Sequence, residues 1–253
     1  MGFYAIQFES LVDKLDQLGK KTKGNFIMQK PTYISWSTGK DSAWATYQLQ
    51  QDSSVSIKGI LCTVNAQFKR TAMHAVRIDL LQRQAAALNL PLQLLEIPYP
   101  CNNEQYLEIM QKANDALVEK GVEYLCFGDL FLEDVRQYRI DNLKNTGINP
   151  VFPLWQKDTS ELANEMIQGG VKAIVTCIDP KVLDKRFVGR EYNHQFIADL
   201  PNGVDPCGEN GEFHTFVYQG PMFQQTIEVE VGDVVERDGF VFADVSLANL
   251  NDS

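Results

Sequence analysis

Ser37-Thr38-Gly39-Lys40-Asp41-Ser42 follows the short apolar run Thr32 to Trp36 and precedes the helix-compatible run Ala43 to Gln50. A strand, a tight turn of small residues and a helix start make an anion site. The turn lets successive backbone N–H groups converge, and the helix N-terminus adds unsatisfied donors and about half a unit of positive charge. A Walker A loop needs a glycine and then a serine or threonine where this chain has Ile34 and Asp41, and the dinucleotide G-x-G-x-x-G spacing is absent. Thr38 brings a Cβ into a turn that favours positive φ. The plainer alternative is a serine-rich turn that caps a helix through Asp41 or Ser42.

Around this turn, 253 residues with 44% hydrophobic content allow one large domain or two small ones with a real core. No stretch approaches the ~18 uninterrupted apolar residues of a membrane span, and the basic-then-apolar order of a signal peptide is missing, so we expect a cytoplasmic protein without membrane contact. Cys62, Cys101, Cys126, Cys177 and Cys207 are odd in number and contain no C-x-x-C pair, which argues for a reducing compartment and against a zinc knuckle. A net charge of −10 argues against a nucleic-acid partner, because that affinity is built on phosphate neutralisation by Lys and Arg.

Phe8, Leu11, Val12, Leu15 and Leu18 recur at helical spacing, so 5–18 reads as an amphipathic leading helix, for packing on the body or against a second copy as a homodimer. It and a basic linker make up segment 1–30. Then strands at 32–36, 57–64, 92–97 and 123–127 alternate with helices at 42–50, 74–88, 103–119 and 130–146. That order predicts an α/β fold on a parallel sheet. A soft boundary near Pro153 separates domain 31–153 from a smaller α+β domain, 154–253. The latter opens with a helix from the capping-box-like Asp158/Glu161 to Gly169, followed by a strand at 171–177 and a charged helical stretch from Lys181 to Leu200. It closes with a hairpin turning at Asp238 and Gly239.

Ligands of parallel sheets sit beyond the carboxyl ends of the strands, where Ser37 to Ser42, Thr63 to Asn65, and Gly128 with Asp129 fall. Asp129, followed by Glu133 and Arg136, can hold Mg²⁺, orient a nucleophile or cap a helix. A second polar segment, Asn202 to Val217, crowds Asp205, Glu209 and Glu212 among Gly203, Gly208 and Gly211 before a strand-like run. Such a loop exposes carboxylates at fixed geometry, and its spacing is not that of an EF-hand.

The turn at 37–42 resembles the S-G-G-x-D-S loop of N-type ATP pyrophosphatases, with Thr38 in place of the first glycine. Together with F-G-D at 127–129, E-D-V-R at 133–136, F-P-L-W at 152–155 and G-E-N-G-E-F-H-T-F at 208–216, it resembles the diphthine ammonia ligase family across almost the whole chain after residue 30. That resemblance implies a HUP-type, Rossmann-like ATP domain and a C-terminal substrate domain. It also implies adenylation of a carboxylate on a small molecule or a modified protein side chain, with ATP and Mg²⁺ as cofactors. Ammonia then displaces AMP to give an amide.

Carried onto this sequence, the resemblance matches Ser37, Gly39, Lys40, Asp41 and Ser42 to the ATP loop and Glu209, Gly211 and Glu212 to the second signature, and the sheet-edge reading adds Thr38, Thr63, Asn65, Gly128 and Asp129 to the expected ATP contacts. Lys40, Asp41, Glu209 and Glu212 are the catalytic candidates, Asp41 and Asp129 the Mg²⁺ contacts, and His74, Asp205, Glu209, Asn210, Gly211, Glu212 and His214 the substrate contacts. Glu209 and Glu212 are open to three roles: holding Mg²⁺, orienting substrate or accepting a proton from ammonium. Diphthine ligases write the second signature E-G-G-E-(Y/F)-E-T. Asn210 and His214 depart from it toward a bacterial branch associated with corrinoid salvage, so a corrinoid-related acid enters as a substrate class. The rival readings are a sulfur-inserting pyrophosphatase using Cys207 and a non-catalytic nucleotide-binding module.

Overall fold

Strand β1 (Lys30–Ser35) is the middle of a parallel sheet, and Thr32, Tyr33 and Ile34 are buried in succession along it. A strand covered on both faces reads as a continuous apolar run, not an alternating one. The computed structural model describes residues 29–71 and 76–248. The helix expected over 5–18, and His74, lie outside the described residues. β2 (Val55–Asn65) pairs with one edge of β1 and β5 (Tyr124–Cys126) with the other; β4 (Leu92–Ile97) lies beyond β2 and β6 (Asn149–Val151) beyond β5, all parallel. A two-residue β3 (Arg70–Thr71) runs antiparallel to the tip of β2. The order β4-β2-β1-β5-β6 reverses between β1 and β5, and a crevice opens at such a point.

The intervening helices are α1 (Lys40–Gln50), α2 (Ile78–Leu88), α3 (Asn103–Glu119) and α4 (Glu133–Leu143). α3 starts where Asn102 and Gln105 close a reciprocal capping box. α2 turns Leu80, Leu81 and Leu88 inward and ends at Asn89 in the left-handed conformation. α4 begins three residues later than its periodicity suggests. The irregular stretch at 128–132 is what the site uses.

α5 (Thr159–Gln168), capped by Asp158, leads into an antiparallel sheet of β7 (Lys172–Ile178), β8 (Phe213–Gln219), β9 (Val229–Arg237) and β10 (Phe240–Leu247), in the order β8-β7-β10-β9. Asp238 and Gly239 both take positive φ, as a two-residue hairpin turn with the strands' own twist requires. The two sheets share a core: Ile34, Trp44 and Leu81 belong to the same buried cluster as Val175, Phe187, Phe213 and Val241.

The helical stretch expected from Lys181 to Leu200 is replaced by a 3₁₀ turn at Lys185–Phe187 and a short helix, α6 (His194–Asp199). Between them the chain runs alongside β7. The Gly189 N–H donates to the Val175 carbonyl, Val175 N–H to Arg190 and Tyr192 N–H to Ala173. Satisfying that sheet edge outweighs the helical charge pattern.

Candidate active site

The turn after β1 is held from outside. Thr38 has φ of 74° and is completely buried. A β-branched residue in that conformation costs about 1–2 kcal/mol, so neighbours must over-determine it. Its carbonyl accepts from the Val217 N–H at the free edge of β8 and from Gln84 Nε2, each at 3.0 Å. Gln84 also donates to the Val217 carbonyl at 2.7 Å and accepts from Trp36 Nε1 at 2.8 Å. Within the turn, Ser42 Oγ lies 3.1 Å from Ser37 Oγ, accepts from the Ser37 N–H and donates to the Gly39 carbonyl. Gly39 is the N-cap of α1 and makes no side-chain cap, so neither Asp41 nor Ser42 fills that role.

Lys40 does not extend along the turn. Its side chain is 2% exposed, and Nζ donates to Asp41 Oδ2 at 2.9 Å and to the Cys207 carbonyl, between the rings of Tyr192 and Phe213 at 5.5 and 5.3 Å. Its backbone N–H donates to Thr215 Oγ1 at 3.1 Å. Burial works against the ammonium charge, and Asp41 beside it more than offsets this, holding Lys40 above its ordinary value. This ammonium, expected at a phosphate, ties the turn to the loop at Cys207. Burial pushes the Asp41 carboxyl up against the pull of Lys40.

The acidic loop is held from within. Asp205 is buried; its Oδ2 accepts from the Glu209 N–H at 2.8 Å, and its own N–H donates to Glu212 Oε1 at 3.1 Å. Asn210 Nδ2 reaches the same Glu212 oxygen at 3.0 Å. Gly208 and Gly211 take positive φ, and a Cβ at 208 would come within 2.8 Å of the Phe213 carbonyl, so only glycine fits there. Three of the expected contacts, Asp205, Asn210 and Glu212, therefore shape the loop. Glu209 leaves it: Oε1 accepts from the Leu130 N–H at 2.8 Å, and burial together with Asp41 and Asp129 pushes its carboxyl up to about 7, against that bond.

Gly128 closes the arrangement. A Cβ there would lie 2.8 Å from the Asp41 carbonyl carbon and from the Ser42 nitrogen, so the F-G-D glycine is what lets β5 approach the turn. Asp129 Oδ2 sits 3.5 Å from Arg139 Nε, and burial raises its carboxyl although Arg139 works against that. Cys207 is buried and its thiol donates to the Thr159 carbonyl at 3.4 Å; burial pushes it far above the usual thiol range. A thiol held protonated this way is inert.

Eight buried side-chain polar atoms among the described residues lack a hydrogen-bond partner, and six of them belong to the turn, the 129–139 segment and the acidic loop: Thr38 Oγ1, Asp41 Oδ1, Arg136 Nε, Glu212 Oε2, and Asp129 Oδ2 and Arg139 Nε, which face each other at 3.5 Å. Such groups are rare enough that a cluster of them marks a site built for something else to satisfy.

On the other face of β8 a cavity of about 300 Å³ lies between the second sheet and the tips of β2 and β4. Asn65, Phe68, Tyr99, His214, Arg237 and Phe242 are among the residues that line it. Asn65 Oδ1 also accepts from the Gln67 and Phe68 N–H groups, shaping the rim. Burial, with Lys40 nearby, depresses His214 to about 4, so its imidazole is neutral at pH 7. Thr63 pairs with Leu95 inside the sheet and is only half-buried. Gln84, Tyr192, Thr215 and Arg139 were not singled out from the sequence. Gln84 alone left a signal there, a polar residue inside the apolar face of α2.

A parallel sheet whose order reverses beside a small-residue turn, covered by a second antiparallel sheet, defines a HUP-like α/β protein. Residues 30–150 match the diphthamide synthase N-terminal domain and residues 158–245 the diphthamide synthase C-terminal domain; the chain belongs to that family. It is 28% identical over 160 residues to the diphthine–ammonia ligase of Mus musculus, covering 60% of this chain and 58% of that one. The Bos taurus protein of the same name is 27% identical over 152 residues, 58% and 57% of the two chains. The Schizosaccharomyces pombe protein is 30% identical over 111 residues, 42% of this chain and 18% of that one. The chain thus spans a little over half the length of the mammalian relatives it matches.

Proposed function

We propose that this protein is an ATP-dependent, amide-forming ligase that adenylates a carboxylate and transfers the acyl group to ammonia, releasing pyrophosphate and then AMP. The observation that carries this reading is that four of the five sequence motifs, at 37–42, 127–129, 133–136 and 208–216, each carry a buried polar atom without a hydrogen-bond partner. Membership of the diphthamide synthase family supports it. In the proposal, residues 31–153 hold the nucleotide and residues 154–253 recognise the acceptor.

A carboxylate is a poor electrophile, so its oxygen first attacks the α-phosphorus, and AMP becomes the leaving group for ammonia. The turn and the first N–H groups of α1 face the phosphates and offset charge without reorganising during the reaction. Lys40 is a positioning residue here, through its bond to the Cys207 carbonyl. Glu209 accepts the proton from ammonium, while Asp205 and Glu212 keep it in place. Among the described residues no group of three or more His, Cys, Asp or Glu forms a metal cage. Mg²⁺ does not need one, since it takes one or two carboxylates and fills its shell with water and substrate phosphates. Asp41 Oδ1, buried without a hydrogen-bond partner, and Asp129 Oδ2, which faces Arg139 at 3.5 Å, would be its protein contacts. When bound, the ion would polarise phosphate oxygens.

The acceptor is a carboxylic acid, free or on a modified protein side chain. Asn210 and His214 are the reason for testing corrinoid-related acids beside a diphthine-bearing protein. The test is a carboxylate panel followed by pyrophosphate release with and without ammonium, with nucleotide products separated. AMP and pyrophosphate are expected, and ADP with phosphate would overturn the reading. Cys207→Ser should keep turnover within about twofold, as an inert buried thiol predicts. Loss of turnover in that variant would favour sulfur insertion instead.

A further inference from the structure

Lys40 is occupied between Asp41 and the Cys207 carbonyl, which leaves a triphosphate at the turn without the cation the sequence promised. Two guanidinium groups stand on the other wall of the crevice. Gly128 touches the backbone of Asp41 and Ser42, so the chain that follows it borders the same space. There Asp129 meets Arg139, and Arg136 lies one turn earlier on the same face of α4.

Both groups are held on an aromatic shelf. Arg136 rests over Trp155 at 4.9 Å and Phe152 at 5.3 Å, and Arg139 over Phe127 at 5.1 Å. The shelf is continuous, with Phe127 stacked on Phe152 at 5.5 Å and Phe152 edge-on to Trp155 at 6.2 Å. F-P-L-W at 152–155, which no catalytic role has absorbed, supplies two of its three rings. A stacked guanidinium has its face covered and its N–H fork fixed in plane, suited to bidentate capture of a phosphate. Neither fork is saturated, although Arg139 also interacts with the Tyr106 hydroxyl. Each Nε is buried without a hydrogen-bond partner. Arg136 pairs at 3.2 Å with Glu133, which is 65% exposed and so holds it weakly. The 3.5 Å separation of Arg139 from Asp129 is longer than an N–H···O bond normally spans.

We propose that Arg136 and Arg139 form a pyrophosphate subsite, supplying the charge that Lys40 does not. This rests on the ATP-cleaving reading above. As the bond from the acceptor oxygen to the α-phosphorus forms, the bridge from the α-phosphorus to the β-phosphate oxygen breaks. Its electron pair leaves on pyrophosphate, which gains a negative charge, and the two forks meet that charge as it develops.

The experiment titrates the full-length chain, by calorimetry, with inorganic pyrophosphate and separately with AMP. Arg136→Ala and Arg139→Ala should each weaken pyrophosphate at least tenfold and the double variant should abolish it, while AMP affinity changes less than threefold. Arg136→Lys should recover only part of the loss, because an ammonium keeps the charge and loses the fork. Thermal melting of each variant checks that the shelf stays folded, and Arg136→Gln, which leaves the Asp129 pair intact, serves if Arg139→Ala does not fold. Unchanged pyrophosphate affinity in the double variant, or AMP affinity falling in parallel, overturns the subsite while leaving the ligase reading standing. A parent protein that releases ADP overturns both.

Discussion

The turn at 37–42 and the loop at 205–212 are both rich in small residues and both carry positive φ, yet they are stabilised in opposite ways. The first is anchored from outside, through Thr38 to the edge of β8, Lys40 to the Cys207 carbonyl and Ser42 against Gly128. The second is braced by its own carboxylates, with Asp205 and Glu212 taking its internal donors. Asp205 Oδ2 and Glu212 Oε1 are taken up by donors of the loop itself, and of the three carboxylates Glu209 is the one that bonds outside it, to the Leu130 N–H. The contrast assigns roles that residue type alone does not.

The contrast is open to attack at its strongest point first. Asp41→Asn should cut pyrophosphate release by about 10²–10³, the scale of losing one preorganised electrostatic contact, and should also lower the melting temperature, because the buried Lys40 ammonium loses its counter-charge. A folded variant at full activity would remove Asp41 from the chemistry. Lys40→Met, which keeps the length and deletes the charge, should destabilise the protein by about 1–3 kcal/mol in urea unfolding, because it leaves the part-buried Asp41 carboxylate and the Cys207 carbonyl without their donor. A cost below about 1 kcal/mol would mean that the turn is not held to the 207 loop through this residue.

His214 tests the other face of β8. Its folded-state value of about 4 lies below the ordinary 6.5, so the unfolded chain binds the proton first. Stability should therefore fall as pH drops from about 6.5 toward 4, by on the order of 3 kcal/mol. His214→Asn should lose that component, which the difference between the two pH profiles separates from carboxylates titrating in the same range. The smallest effect is expected at Thr38. Thr38→Gly removes the strained Cβ and should stabilise by about 0.5–1 kcal/mol after the added freedom of the unfolded chain is counted. Destabilisation would show that Thr38 packing outweighs its backbone strain.

Strand β4 at 92–97 and helix α3 at 103–119 were legible to the residue, because an apolar run bounded by a proline and an Asn/Gln capping box are both local signals. The stretch 181–200 was not. Its charges repeat like a helix, and the competing partner, the edge of β7, is only there once the sheet has formed. The site divides in the same way. The turn, the F-G-D glycine and the acidic loop stand out as sequence. The direction of Lys40 depends on Thr215, 175 residues further along, and no local pattern carries that. Arg139 was passed over for a related reason: its value comes from Phe127 beneath it, a contact made between a strand and a helix.

The hydrogen bond from the Val217 N–H to the Thr38 carbonyl has an evolutionary reading as well. Either half of this chain could acquire a new neighbour or a new specificity loop, but the strand that seats residue 38 has to travel with the turn it seats. Because the bond runs from backbone to backbone, the side chains at both positions can change while the strand's path cannot, and a chimera that exchanges one segment keeps its turn set only if the new strand carries an N–H to the same place.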